Sequence, residues 1–204
     1  MIESKSYSSD TSTHLFQDNV LYDPVLPQDE LSTSLEQGSQ FEDPEKSEEP
    51  SNKCKVSVFD VAAYILFWYN EQMSTMKLHK LLYYCQAWSL VWDEKPLFYE
   101  DIEAWANGPV VRTLFNYHKG LFNLSFKKFD RGNVNILSDA QKETIKVVMD
   151  FYGKKDSQWL IDQTHMEIPW QNARKGLKQY DRGSVVISLE SMQEYYSSLI
   201  QHEE

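Results

Sequence analysis

"MKLHKLLYYCQAWSLVW", residues 76–92, decides the fold of this chain. Leu78, Leu81, Leu82, Cys85 and Trp88 recur at spacings of three and four, which gathers them on one face of an α-helix and makes that face a core surface. Ser74 or Thr75, just ahead, can accept a bond from a free amide of the first turn, so the helix starts there. The remaining positions carry Lys77, Lys80, Tyr83, Tyr84 and Gln86. Cations mixed with phenols on the far side of an amphipathic helix are expected to face outward, as plain solvated surface or as a stripe for a partner.

Upstream, Val58, Val61, Ala62, Ile65, Leu66 and Tyr69 repeat at helical spacing and predict a first helix that Asn70 to Gln72 close. Further back the composition changes. Residues 1–53 hold twelve Asp or Glu against three Lys, four of the seven prolines and no tryptophan. Only ten of those residues are Leu, Ile, Val or Phe, too few to offset an ordering cost of roughly 1–2 kcal/mol per residue. An acidic disordered tail is the expectation for 1–53. Within it "LFQDNVLYDPVL", 15–26, sets apolar residues between acids and reads as a linker or as a docking motif.

Residues 54–204 carry 24 of the 28 aromatic residues and all six tryptophans. A domain of about 150 residues buries about 68–70% of its unfolded-chain surface, so a single core is expected there. Downstream of the central helix, "LFYEDIEAWANGPV" suggests a short extended segment near 97–106. Asn107-Gly108 then supplies a tight reversal, and Pro109 is expected to open a helix over about 109–119. "SDAQ" at 138–141 has capping-box spacing and introduces a helix through Ile145, Val148, Met149 and Tyr152, ended by Gly153. Asp156 or Ser157, Pro169 and Ser188 open three more, with a second extended piece at 185–187. The fold class is mainly α.

The chemistry such a chain can do is bounded by its residues. His14, His79, His118, His165 and His202 include no His-x-x-x-His pair, and there is no Cys-x-x-Cys, so no metal is expected. Seven glycines, none in a phosphate-cradling loop, disfavour nucleotide chemistry, and no cofactor is expected. A net charge of −11 without a Lys/Arg stripe argues against direct contact with nucleic acid or an anionic membrane. The longest apolar run, "VAAYILFWY" at 61–69, is half a bilayer span. With no basic leader, a cytoplasmic protein with both cysteines, Cys54 and Cys85, reduced is the expectation. In "THMEIPWQNAR", Thr164, His165, Glu167 and Arg174 could make an acid–base pair. The scaffolding assignment is favoured instead: Thr164 caps, Glu167 complements the helix that begins at Pro169, and Arg174 bonds carbonyls near that helix's end. No catalytic residue is assigned.

The run from Met76 to Val111, with its Lys-Leu-x-Lys-Leu-Leu-Tyr-Tyr helix, Pro-Leu-Phe turn and Glu-Ala-Trp segment leading into Gly-Pro-Val-Val, resembles the signature of the Panacea domain, also known as the SocA-like antitoxin domain. "THMEIPWQNAR" is similar to the family's later Thr-His-x-x-x-Pro-Trp element, and the resemblance covers about 56–200. It implies a small cytosolic protein of bacteria or their phages that binds and neutralises a cognate protein toxin. One branch of the family implies an alternative, an adaptor delivering its toxin to an AAA+ protease. The partner-contacting residues expected on this basis are Lys77, Lys80, Tyr84, Trp105, Asn107, Gly108, Pro109 and Val110. His165, Glu167, Pro169, Trp170 and Arg174 are expected to be structural.

Overall fold

The computed structural model describes residues 55–200. The expected disordered tail, its 15–26 segment, His14, Cys54 and His202 lie outside the described residues. Seven α-helices are present among them: α1 Val58–Tyr69, α2 Thr75–Trp92, α3 Arg112–His118, α4 Asp139–Tyr152, α5 Ser157–Met166, α6 Ile168–Ala173 and α7 Leu189–Ile200. Four short strands complete the set: β1 Met73–Ser74, β2 Ile102–Trp105, β3 Gly108–Val111 and β4 Asn123–Leu124. β1 pairs antiparallel with β4, and β2 with β3. The fold is mainly helical, as the periodicity indicated.

The helix boundaries follow local chemistry. Ser74 Oγ accepts the Lys77 amide at 3.2 Å and starts α2. At α4, Ser138 and Gln141 exchange bonds, Ser138 N–H to Gln141 Oε1 at 2.9 Å and Gln141 N–H to Ser138 Oγ at 3.3 Å. Asp156 Oδ1 caps α5 through the Trp159 amide at 2.8 Å, and Ser188 Oγ accepts the Ser191 amide at 3.1 Å at the head of α7. α1 ends on Asn70 in the left-handed region, φ +56°.

α2 is the axis of the fold. It packs against α1, α4, α5, α7 and β3, so it has no solvent side, and Lys77 through Leu90 are all buried. This corrects the expectation that Lys77, Lys80 and Tyr84 face outward. Each polar residue that periodicity assigned to the surface has a particular internal partner. Lys77 Nζ donates to Gly153 O at 2.7 Å, at the C-terminal end of α4 where the helix dipole favours a cation. Gln86 accepts the Leu97 and Phe98 amides at 3.0 and 3.1 Å and donates back to Phe98 O at 3.0 Å, which ties the loop leading into β2 onto the helix. Tyr84 stacks on Tyr152 of α4 with ring centroids 3.9 Å apart. Cys85 is buried and free, as its apolar-face position implied.

The region around Pro109 also differs from expectation. Ala106–Asn107 makes the reversal between Trp105 and Gly108, and Gly108–Val111 is a strand; the helix begins only at Arg112. Proline fits in this strand because its neighbour makes no demand on it. Ala104, opposite Pro109, sends its N–H to Val185 O at 2.9 Å and receives Arg174 Nη1 on its carbonyl at 3.0 Å, so both of its polar groups point away from β3. The expected extended piece at 185–187 is real: Ile187 N–H donates to Ile102 O at 2.8 Å, and it lies along the outer edge of β2.

Candidate functional site

The motifs singled out in sequence converge on the β2–β3 hairpin. From below, the Lys80 side chain reaches up from α2 and Nζ donates to Pro109 O at 3.0 Å, with Met76 Sδ at 3.7 Å. Lys80 is fully buried, and burial pushes its ammonium down to about 7. Gly108 sits directly on this side chain at φ +93°. A Cβ there would meet Lys80 Cε at 2.4 Å and Thr164 Oγ1 at 2.8 Å, so glycine is required by both conformation and space.

α5 and α6 close the hairpin from the side. Thr164, fully buried, donates to Ile161 O at 2.9 Å within its own helix and caps nothing. Trp170 Nε1 donates to Trp105 O at 3.0 Å, and the His165 ring stacks on Trp170 with centroids 4.2 Å apart. Pro169, at the second position of α6, is buried beside it. Arg174 spends its guanidinium on carbonyls, but not those of its helix end. Nη1 holds Ala104 O, while Nη2 holds Lys178 O and Asp181 O at 2.9 Å each, which fastens the loop after α6 to β2.

Glu167 lies at the junction of α5 and α6 and does not cap the helix it begins. Its carboxylate instead accepts Tyr84 Oη at 3.0 Å and Tyr196 Oη at 2.9 Å, joining α2, α6 and α7. Burial pushes this carboxyl up to about 7, against the opposing pull of the tyrosine hydroxyls. The buried Tyr83 hydroxyl lies close to the same carboxylate, whose charge helps to hold this phenol above its usual range after burial. Of the two residues that could make an acid–base pair, His165 stacks on Trp170 and Glu167 is held by phenols.

The outer face of the hairpin is a separate network. Arg112 clasps Glu103 through Nε to Oε1 at 2.6 Å and Nη2 to Oε2 at 2.5 Å, while Trp105 Nε1 donates to Oε2 at 2.8 Å. Burial works to raise the Glu103 carboxyl, but the Arg112 and Trp105 bonds outweigh it and the group is lowered. The Arg112 guanidinium lies over the Trp105 ring at 5.3 Å, and Phe115 packs edge-on at 4.7 Å.

Of the eight residues expected to contact a partner, Trp105 and Asn107 reach solvent, whereas Lys77, Lys80, Tyr84, Gly108, Pro109 and Val110 are buried. Sequence reasoning missed two features. His79 on α2 and His118 on α3 meet through Nε2 at 2.8 Å, and His79 Nδ1 accepts the Val111 amide at 3.2 Å. Burial foremost, then the nearby Lys80 charge, holds His79 well below its usual range. Histidines 39 positions apart give no local signal. The Glu103–Arg112 clasp was legible only once the hairpin register, Glu103 opposite Val110, was known.

Residues 78–171 match the family model described as antitoxin SocA-like, Panacea domain. The matched stretch runs from α2 through the hairpin to α6 and so includes Lys80, Gly108, Thr164 and Trp170. It is the family whose signature the sequence resembles. No curated protein and no solved structure matches the chain. Among the described residues, no helix is long and apolar enough to cross a membrane.

Proposed function

We propose that this chain is an antitoxin that binds a cognate protein toxin stoichiometrically and turns over no substrate. The observation that carries this reading is where the family-matched residues spend their polar groups. Lys80, Thr164, Glu167 and Trp170, with Arg174 just past the matched stretch, are engaged on the protein's own backbone and phenols, which makes the motif a brace for the hairpin. A braced hairpin gives a partner a preorganised surface and spares the ordering cost of binding. Trp105, Asn107 and Arg112 form the solvent-facing part of that surface. Tryptophan and arginine are the residue types that dominate contact energies between proteins.

Co-expression tests it. A gene product encoded beside this chain is expected to arrest growth alone and to be rescued by the full chain. Trp105→Ala is expected to weaken rescue while the thermal midpoint stays within a few degrees of wild type. Absence of any rescued neighbour defeats the proposal. Deleting the acidic residues 1–53 is expected to weaken rescue, which assigns them a part in neutralisation. A toxin whose level falls only where an AAA+ protease is present marks delivery to proteolysis and replaces inhibition.

A further inference from the structure

Away from the hairpin, the end of α1 and the segment after α3 carry a second group of uncovered apolar side chains. Phe122 is 86% exposed, Phe67 and Leu121 54% each, and Phe126 39%. Their backbone is held firmly. Met73 pairs with Leu124, the Thr75 amide donates to Phe122 O at 2.9 Å, and the Phe67 and Phe126 rings pack at 5.2 Å. Exposed rings on an anchored segment mark a contact surface more than a frayed loop does.

The charge here runs against the rest of the chain. No Asp or Glu occurs between Glu103 and Asp130, and residues 113–131 carry Lys119, Lys127, Lys128 and Arg131 against Asp130 alone, in a chain of net charge −11. Asp130 accepts Tyr117 Oη at 2.6 Å, and Glu71, on the turn before β1, is the exposed acid on the adjoining segment. We propose that this strip, Phe67 with Leu121–Lys128, is the docking surface for an acidic polypeptide segment whose apolar side chains seat among the phenylalanines. The segment is supplied by the toxin, so the assignment rests on the antitoxin reading. A nucleic acid fits less well, because Phe67 and Phe126 meet edge-to-face at 67° and so do not form a stacked platform for bases.

Fluorescence anisotropy with the full chain tests this. The probes are a labelled dodecapeptide of leucine and phenylalanine interspersed with aspartate and glutamate, its twin with lysine at every acidic position, a single-stranded RNA, and phosphatidylserine vesicles. The acidic peptide is expected to bind best, more weakly as salt rises. Phe122→Ser, and Lys127→Glu with Lys128→Glu, are each expected to weaken it about tenfold or more with the thermal midpoint unchanged. Equal binding of the basic twin, preference for RNA or vesicles, or unaltered binding by the variants overturns the proposal. Wild-type rescue of a toxin with no peptide binding defeats this surface alone. Patch-dependent peptide binding with no rescuable neighbour defeats the antitoxin reading alone.

Discussion

Lys80→Met is expected to stabilise the protein at neutral pH. Burial takes the Lys80 ammonium from 10.5 to about 7, so below pH 7 the folded state bears a penalty of about 5 kcal/mol relative to an unfolded chain in which the lysine is freely charged. The unfolded state binds more protons between pH 7 and 10.5, so wild-type stability rises with pH across that window and the penalty vanishes above it. At pH 7 about 4 kcal/mol remains. Methionine is unbranched and of similar volume, and it removes the ionisation while leaving Pro109 O without its donor at a cost of about 1–3 kcal/mol. The net expectation is a gain of about 1–3 kcal/mol at pH 7, shrinking to nothing near pH 9 and reversing at pH 10. Urea unfolding of both proteins from pH 6 to 10, followed by tryptophan fluorescence, reads the difference. A variant less stable at pH 7 by an amount independent of pH refutes the reasoning, because Lys80 is then charged inside the fold.

Glu167 behaves in the opposite sense. Its folded value of about 7 exceeds the usual 4.5, so the folded state holds more protons between those values, and wild-type stability falls by about 3 kcal/mol as pH rises through them. Glu167→Gln is expected to abolish that slope in the same unfolding assay. Gly108→Ala places a Cβ against Lys80 and Thr164 at φ +93° and is expected to cost about 2–4 kcal/mol, read as a lowered thermal midpoint. Arg174→Leu strands the carbonyls of Ala104, Lys178 and Asp181. Its expected cost is about 3–5 kcal/mol, with amide exchange accelerated in 176–187, and Lys at 174 does not restore it because an ammonium lacks the planar fork.

Most helix starts were legible because they depend on neighbours three or four residues away: Ser74, Ser138, Asp156 and Ser188 each bond an amide in their own first turn. The apolar face of α2 was legible for the same reason. What periodicity could not show is that a helix can be enclosed on every side, and this put Lys77, Lys80 and Tyr84 outside when they are inside. Pro109 was misplaced because its preference for a helix start and its tolerance in a strand are equally local. The choice between them was made by Ala104, which turns its N–H and C=O toward residues 185 and 174. The buried ring of Glu167 with Tyr84 and Tyr196 spans three helices, and no spacing along the chain encodes it.

The enclosure of α2 also bears on how the molecule comes apart. Several elements lean on the same rod, β3 over Lys80, α4 over Tyr84 and the loop at 97–98 over Gln86, so peeling any one away uncovers a buried polar group on the axis the others share. Disassembly is then an all-or-none event with few half-open forms. A protease that gains a foothold among the described residues must then melt these helices as a group and finds no single one to peel off.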